Sequence, residues 1–391
     1  MISSHPNLSN PPSASLAAMI LAAGASSRMG TLKPLLRLAG ITAIERSVGL
    51  FREAGIDDVL VVLGHRAAEL SPFVEQSGAR WIQNQHPDEG MYSSVVAGAQ
   101  SLASYTRGVF VLPADVPLVR PATVRQLAAA FLNRPAEIVY PVFGNRRGHP
   151  PMLARSILDQ AASGATGPLR ALLALHEPKA INVSVADEAI HLDMDTPADF
   201  ARLQALAARR EIPTPAECEA ILARERLAEP LVRHARKVAE ISGRIAVELA
   251  AKGLAIDPEL VRAGALLHDI AKGQTNHADQ GADALRADGM EAVAGIVAAH
   301  TTMEFAGFLD EKAIVYLADK LTAGDRLVTL DERFAAAELR IQDNAEARKA
   351  AGQRKAVAQQ IAAAIEAKLG EPLARILRDG PDAEIRKERR R

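Results

Sequence analysis

The sequence predicts an α/β domain with a mostly parallel sheet, followed by an all-α domain. From Leu16 to about Arg209, short β-rich apolar runs alternate with helical stretches, the order that builds a parallel sheet covered by helices. Next comes EIPTPAE, where Pro213 and Pro215 mark a linker. Beyond it the chain is rich in Ala and Leu at helical spacing, with no convincing strand.

Taken in order, the polar, proline-bearing residues 1–15 read as a disordered leader. AAMILAA is the first strand, Ala43 to Glu53 a helix, DVLVVLG the second strand, and GVFVLPAD a further strand after another helix. Gly64, Pro113 and Pro117 punctuate the strand ends. The first domain is expected over 16–208, the linker over 209–225, the second domain over 226–335 and a charged helical tail over 336–391. Helix starts in the second half are legible. Asp257-Pro258-Glu259 offers an N-cap, a proline at the first position and an acid in the first turn, and Asp310-Glu311 does similar work. The tail, ending in RKERRR, reads as a solvated, fraying terminus.

A chain of 391 residues exceeds what one hydrophobic core usually organises, which agrees with two domains. The formal net charge of -1 gives no general pull toward nucleic acid or membrane, and the few aromatics argue against a base-stacking platform. The single cysteine, Cys218, can form no internal disulfide and no Cys-type zinc site, which fits a reducing, cytoplasmic setting. The apolar run from Leu16 to Ala25 is too short to span a bilayer. No Lys or Arg precedes it, so it is not a secretory signal.

Two places in the first half carry chemistry. After the first strand, Gly24, Ala25, Ser26 and Ser27 put small residues where a backbone must approach a ligand and offer N–H donors to phosphate, and Arg28 and Lys33 add positive charge. Alone, such a loop is as readily an ordinary turn. It matches neither GxxxxGK[ST] nor GxGxxG, which excludes a P-loop or dinucleotide reading. Asp115 follows the VFVLPAD strand on the face where α/β folds bind ligands, either as a Mg²⁺ ligand or as a turn residue. In DMDTPADF, Thr196 or Asp195 caps a helix that starts at Pro197 and is closed by Asp199, which leaves Asp193 as the freer carboxylate.

Taken together, LAAGASSRMGTLKPLL, NQHPDEGMYSSVVAG, LPADVPLV, RRGHPPML and DMDTPADF resemble the MobA-like NTP transferases, in particular the molybdenum-cofactor cytidylyltransferase branch, from about Ala17 to Leu206. The resemblance implies a Rossmann-like nucleotidyltransferase sheet. It implies that Leu21, Ala22, Ala23, Gly24, Ser26 and Gly30 bind the nucleotide, and that Arg28 and Lys33 neutralise the triphosphate. Asp115 with Asp193 or Asp195 would hold Mg²⁺, and Gly90, Ser93 and Ser94 would lie near base and ribose. His149 would face the acceptor, or be a loop residue only. The implied reaction is attack by an acceptor phosphate oxygen on the α-phosphorus of an NTP, with pyrophosphate leaving. CTP as donor and molybdopterin as acceptor are implied, with a molybdoenzyme or its chaperone as protein partner; a sugar or polyol phosphate acceptor is the alternative.

In the second half, His234, the pair His268-Asp269, and Asp319 each sit on or at the end of an apolar-periodic helix. Imidazoles and carboxylates from separate helices can make a divalent-metal site, though any one alone would be an ordinary core residue. Together they resemble the HD superfamily of metal-dependent phosphohydrolases over about Leu231 to Leu330, complete at its four H…HD…D positions, with Lys272 completing HDxxK. The resemblance implies one or two divalent transition metals (Mn, Fe, Zn or Co), with Asp269 bridging them or orienting water. His277 and His300 fall where two-metal members carry extra histidines, or are exposed loop residues. A metal-stabilised sensor or partner-binding module without turnover is the alternative.

Overall fold

The structure is a computed structural model that describes residues 16–24, 32–164, 168–338 and 344–378. It divides into two compact units, 1–209 and 210–391.

The first unit is built on an eight-stranded sheet: β1 Leu16–Ala22, β2 Asp58–Leu63, β3 Arg80–Gln83, β4 Gly108–Pro113, β5 Ile138–Phe143, β6 Arg146–Arg147, β7 Met152–Ala154 and β8 Ala180–Ser184. Its order is β8-β5-β7-β4-β1-β2-β3, with β6 paired to β5. The pairs β1–β2, β1–β4, β2–β3 and β5–β8 are parallel. β7 runs antiparallel to both β4 and β5. That reversal follows from a two-residue hairpin between β5 and β6. Gly144 and Asn145 both have positive φ, the conformation that suits the twist of the strands they join.

Both faces of β1 are buried, so its sequence is continuously apolar rather than alternating. Ala18 and Ile20 join Val61, Leu63, Phe110 and Leu112 in one core layer, while Ala17 and Met19 join Leu60, Val62, Val109 and Val111 in the other. The Ala43–Glu53 helix starts on a capping box between Thr42 and Glu45. At Gly64 a Cβ would lie 2.4 Å from the Ala23 carbonyl oxygen. Only glycine therefore lets the end of β2 pass so close to the segment that follows β1.

The second unit is helical, and it differs from expectation in three places. Residues 209–225, expected as a linker, contain a helix over Pro215–Arg224. Thr214 and Glu217 form its capping box, and it buries Cys218, Ile221 and Leu222. Residues 336–391, expected as a charged helical tail with a solvated end, do include a helix, Ala345–Leu369, but its Ala351, Ala358, Ile361, Ile365 and Leu369 form a buried seam at helical spacing. RKERRR, like the 1–15 leader, lies outside the described residues. A small antiparallel hairpin, Thr322–Ala323 with Arg326–Leu327, also interrupts the helices. Among the described residues no helix is long and apolar enough to cross a membrane.

Candidate functional sites

In the first unit, the carboxyl ends of β1 and β4 open onto a cavity of about 330 Å³ lined by Leu21, Ala22, Ala23, Gly24, Lys33, Gly90, Ser94 and Asp115, among others. Ser26, Arg28 and Gly30 lie outside the described residues. Lys33 enters from a short 3₁₀ turn, and its Nζ contacts Asp195 Oδ1 at 2.8 Å. Burial pushes the Asp115 carboxyl upward; the Lys33 charge opposes this, while Asp193 and Asp195 add to it. Among the described residues, Asp115 thus feels one lysine and two further carboxylates. Mg²⁺ needs only one or two protein carboxylates beside substrate phosphates, so this donor set fits it.

Gly90, at φ 87°, caps the Met91–Gln100 helix, and Gly90, Met91 and Ser94 bring the N-terminal turn of that helix to the cavity. Ser94 lines the cavity, whereas the Ser93 hydroxyl donates to the carbonyls of His86 and Gly90. Sequence reasoning passed over Asn84. Its buried amide donates to Ser93 Oγ at 2.8 Å and Ser94 Oγ at 3.0 Å, and its Oδ1 accepts from the His86 N–H. Asn84 thereby fixes the whole 84–94 turn; the signal was its place at the head of NQHPDEG.

A second cavity, about 550 Å³, shares Asp115 and Met91 with the first and is lined by Tyr140, Arg146, Arg147, His149 and Asp193. Burial, then the nearby His191, lower the His149 pKa, so the ring is neutral near pH 7. The DMDTPADF carboxylates divide their work: Thr196 is the cap, with Asp199 closing its box; Asp195 pairs with Lys33; and Asp193 lines the second cavity.

In the second unit, His234 comes from the Glu229–Ala251 helix, His268 ends the Pro258–Leu267 helix, and Asp319 lies in Glu311–Lys320. His277 opens the His277–Ala287 helix and His300 ends Glu291–Ala299. His234, His268 and Asp269 bring ligand atoms within 4.8 Å of one another, and so do Asp269, His277 and His300. Asp319 Oδ1 adds to the first group, 3.1 Å from His234 Nε2 and 3.7 Å from His268 Nε2. Asp269 belongs to both.

The hydrogen bonds around these rings point the same way. Nδ1 of His234, His268 and His300 meets the carbonyls of Gly324, Ala265 and Val297 at 2.8, 2.8 and 2.6 Å. A carbonyl only accepts, so each Nδ1 carries a proton, and Nε2 is the ring atom left to face the carboxylates. His268 Nε2 is buried with no hydrogen-bond partner. The Nε2 atoms of His277 and His300 are 3.2 Å apart, at 3.3 and 3.2 Å from Asp269 Oδ1. Imidazoles oriented through Nδ1 with Nε2 facing a shared carboxylate fit transition-metal ions. Sequence reasoning missed two supports. The Gly324 carbonyl sits in the unexpected hairpin, and Lys320 Nζ joins Asp319 Oδ2 at 2.8 Å to the His300 carbonyl at 2.7 Å.

Titration follows from these contacts. Burial pushes His268 down to about 4. Burial would raise the Asp269 and Asp319 carboxyls, but neighbouring cations and hydrogen bonds hold both below the usual range. For all three the folded form binds fewer protons than the unfolded chain, so stability is lost on acidification: from about pH 6.5 to 4 through His268, and lower still through the carboxylates. His234 works in the opposite direction. Burial lowers it but Asp319 raises it further, and its contribution fades as pH rises. The net expectation, with chelator present, is a melting temperature for the helical unit that falls between pH 7 and 4. A flat profile in calorimetry would contradict this assignment.

Comparison with known proteins matches this division. The family profile described as MobA-like NTP transferase domain matches residues 18–183, and the HD domain profile matches 231–324. The chain joins a MobA-like NTP transferase domain to an HD domain. Over 117 residues the chain is 33% identical to a bifunctional protein GlmU of Geobacter sulfurreducens, covering 29% of this chain and 25% of that protein. It is 34% identical over 121 residues to that of Maricaulis maris, covering 30% and 26%. The match thus spans about a quarter of the curated relatives' length. Among solved structures, Rv0371c of Mycobacterium tuberculosis aligns at TM-score 0.43 and 25% identity, over 49% of this chain and 98% of that one. Molybdopterin-guanine dinucleotide biosynthesis protein A of Archaeoglobus fulgidus aligns at 0.40 and 16%, over 49% and 98%.

Proposed function

We propose that the first domain transfers a nucleotidyl group from CTP to molybdopterin with release of pyrophosphate. The observation that carries transfer is the meeting of Lys33, Asp115 and the Gly90 helix end around one cavity, with a second cavity sharing Asp115. A donor in the first cavity and an acceptor in the second would meet at Asp115. Lys33 would neutralise charge on the phosphates, with Arg28 assisting, and Asp115 with Asp193 or Asp195 would hold Mg²⁺. When bound, Mg²⁺ supplies further neutralisation across the phosphates. The acceptor phosphate is already anionic, so positioning and charge provide most of the acceleration, with no strong general base needed. Incubation with each NTP and molybdopterin, following pyrophosphate, tests this. No release with any NTP would overturn it.

The acceptor and the cytosine preference rest on the resemblance of LAAGASSRMG and RRGHPPML to the cytidylyltransferase branch. Ala23, buried beside the cavity, stands where the guanylyl branch carries glycine, and its methyl crowds a purine. In competition at equal concentrations, CTP is therefore expected to be consumed before GTP; preferential use of GTP would reassign the donor. A cytoplasmic setting and delivery to a molybdoenzyme or its chaperone complete this reading.

For the HD domain we propose phosphoester hydrolysis at a two-metal centre. His234, His268, Asp269 and Asp319 would hold one ion, Asp269, His277 and His300 the other. When bound, the metals supply Lewis-acid activation of water for attack on phosphorus. The Nδ1 hydrogen bonds fix the ring orientations, and Lys320 holds Asp319. Hydrolysis of model phosphoesters after loading with Mn²⁺ tests turnover. Full metal content without any hydrolysis would favour a sensor.

A further inference from the structure

The two buried aspartates of the helical unit use their oxygens differently. Asp269 turns Oδ1 to His277 and His300, at 3.3 and 3.2 Å, and Oδ2 to His268 at 3.5 Å, so each oxygen serves one ligand group. Asp319 turns only Oδ1 to the histidines, 3.1 Å from His234 and 3.7 Å from His268. Its Oδ2 accepts from Lys320 Nζ at 2.8 Å.

Lys320 is held in that contact from two further sides. Its Nζ also donates to the His300 carbonyl at 2.7 Å and lies 4.2 Å from the centre of the Tyr316 ring. Two acceptors and a π face leave a three-proton ammonium with little to offer a substrate. The side chain is 10% exposed, against 44% for Lys272, the lysine beside Asp269. Lys272 can turn into solvent, whereas a buried ammonium that left its partners would be uncompensated. The sign of the charge matters too. A carboxylate or carbonyl behind a metal-binding histidine makes the ring a better donor. A cation behind a metal-binding carboxylate does the reverse, because it draws on the carboxylate charge and repels the ion. Lys320 therefore works against metal affinity, and what it supplies is position.

We propose that Lys320 is a positioning residue that holds Asp319 to a single-oxygen ligand, which keeps a coordination position on the ion of the His234 group open to a substrate phosphate. With Oδ2 released, the carboxylate would be able to grip the ion through both oxygens and close that position. An open position is what separates a catalytic metal site from a structural one. The inference deepens the two-metal reading and rests on it.

The test uses the full-length protein loaded with Co²⁺, with Mg²⁺ in excess to fill the all-oxygen donor set of the first unit. Inorganic phosphate is the probe, followed through the visible absorption of Co²⁺, which reports the coordination of the ion. K320M removes the charge and keeps the length. It is expected to bind Co²⁺ at least as tightly as wild type and to show an altered absorption before phosphate is added. Phosphate is expected to bind it roughly tenfold more weakly, the lower end of the change that follows loss of a ligand's supporting partner. K320R keeps a cation with donors and is expected to restore phosphate binding. I361A is the control for loosening, since it hollows the same unit at a fully buried side chain. It is expected to lower the thermal midpoint and leave metal and phosphate binding unchanged. K320Q replaces K320M if thermal unfolding shows that K320M does not fold. Weaker Co²⁺ binding in the uncharged variant overturns the proposal, as does unchanged phosphate affinity with unchanged absorption, or an equal loss of phosphate affinity in I361A. Wild type that binds Co²⁺ but no phosphate overturns it as well, and leaves the metal site standing. Wild type that takes up no Co²⁺ overturns the metal reading itself and this inference with it.

Discussion

Replacing Asp115 with alanine is expected to lower nucleotidyl transfer by ~10²-fold or more while leaving the first unit folded, and Lys33→Ala is expected to do the same. Asp115 lies at the boundary of the two cavities, directly after the last residues of β4. Its carboxylate lines both cavities, so on the proposed reading its loss removes a contact to the reacting phosphates. Lys33 balances the Asp115 and Asp195 charges; without it the free site becomes more acidic and repels a triphosphate. Steady-state pyrophosphate release, with circular dichroism as fold control, decides the matter. Near-normal turnover in both variants would remove these residues from the site.

The parallel centre of the sheet was readable because β1, β2 and β4 are buried on both faces and so are continuously apolar, as in AAMILAA and DVLVVLG. β7 was not readable as antiparallel. Its reversal depends on two positive φ angles at Gly144 and Asn145, and MLA alone has no direction. The capping residues were legible because caps are local: Asp257, Asp310 and Thr196 each bond to an N–H two or three positions onward. The supports of the sites were not, because they act over distance. Asn84 reaches across a turn to Ser93 and Ser94, and the Gly324 carbonyl meets a histidine 90 positions away. The Ala345–Leu369 seam was obscured by the Ala, Gln, Lys, Arg and Glu that make up nearly all the rest of that helix, which masked a narrow apolar stripe.

The double substitution His268→Ala with Asp269→Ala is expected to strip transition metal from the helical unit without abolishing nucleotidyl transfer. Asp269 is shared by both ligand groups, so its loss breaks both. His234 with Asp319, and His277 with His300, then remain as separate pairs, and two ligands rarely hold a transition metal well. Removing His268 also deletes a fully buried ring, so folding of the variant is followed by circular dichroism. His268→Asn with Asp269→Asn provides a second variant of smaller volume change. The transfer site is expected to be indifferent to either, because the chain divides into two compact units and the residues proposed for transfer lie in the first. Metal content of the dialysed full-length protein, before and after substitution, gives one half of the measurement, and pyrophosphate release gives the other. If transfer collapses together with the metal while the first unit stays folded, the two halves work as one coupled site, and the account of two separable activities is wrong.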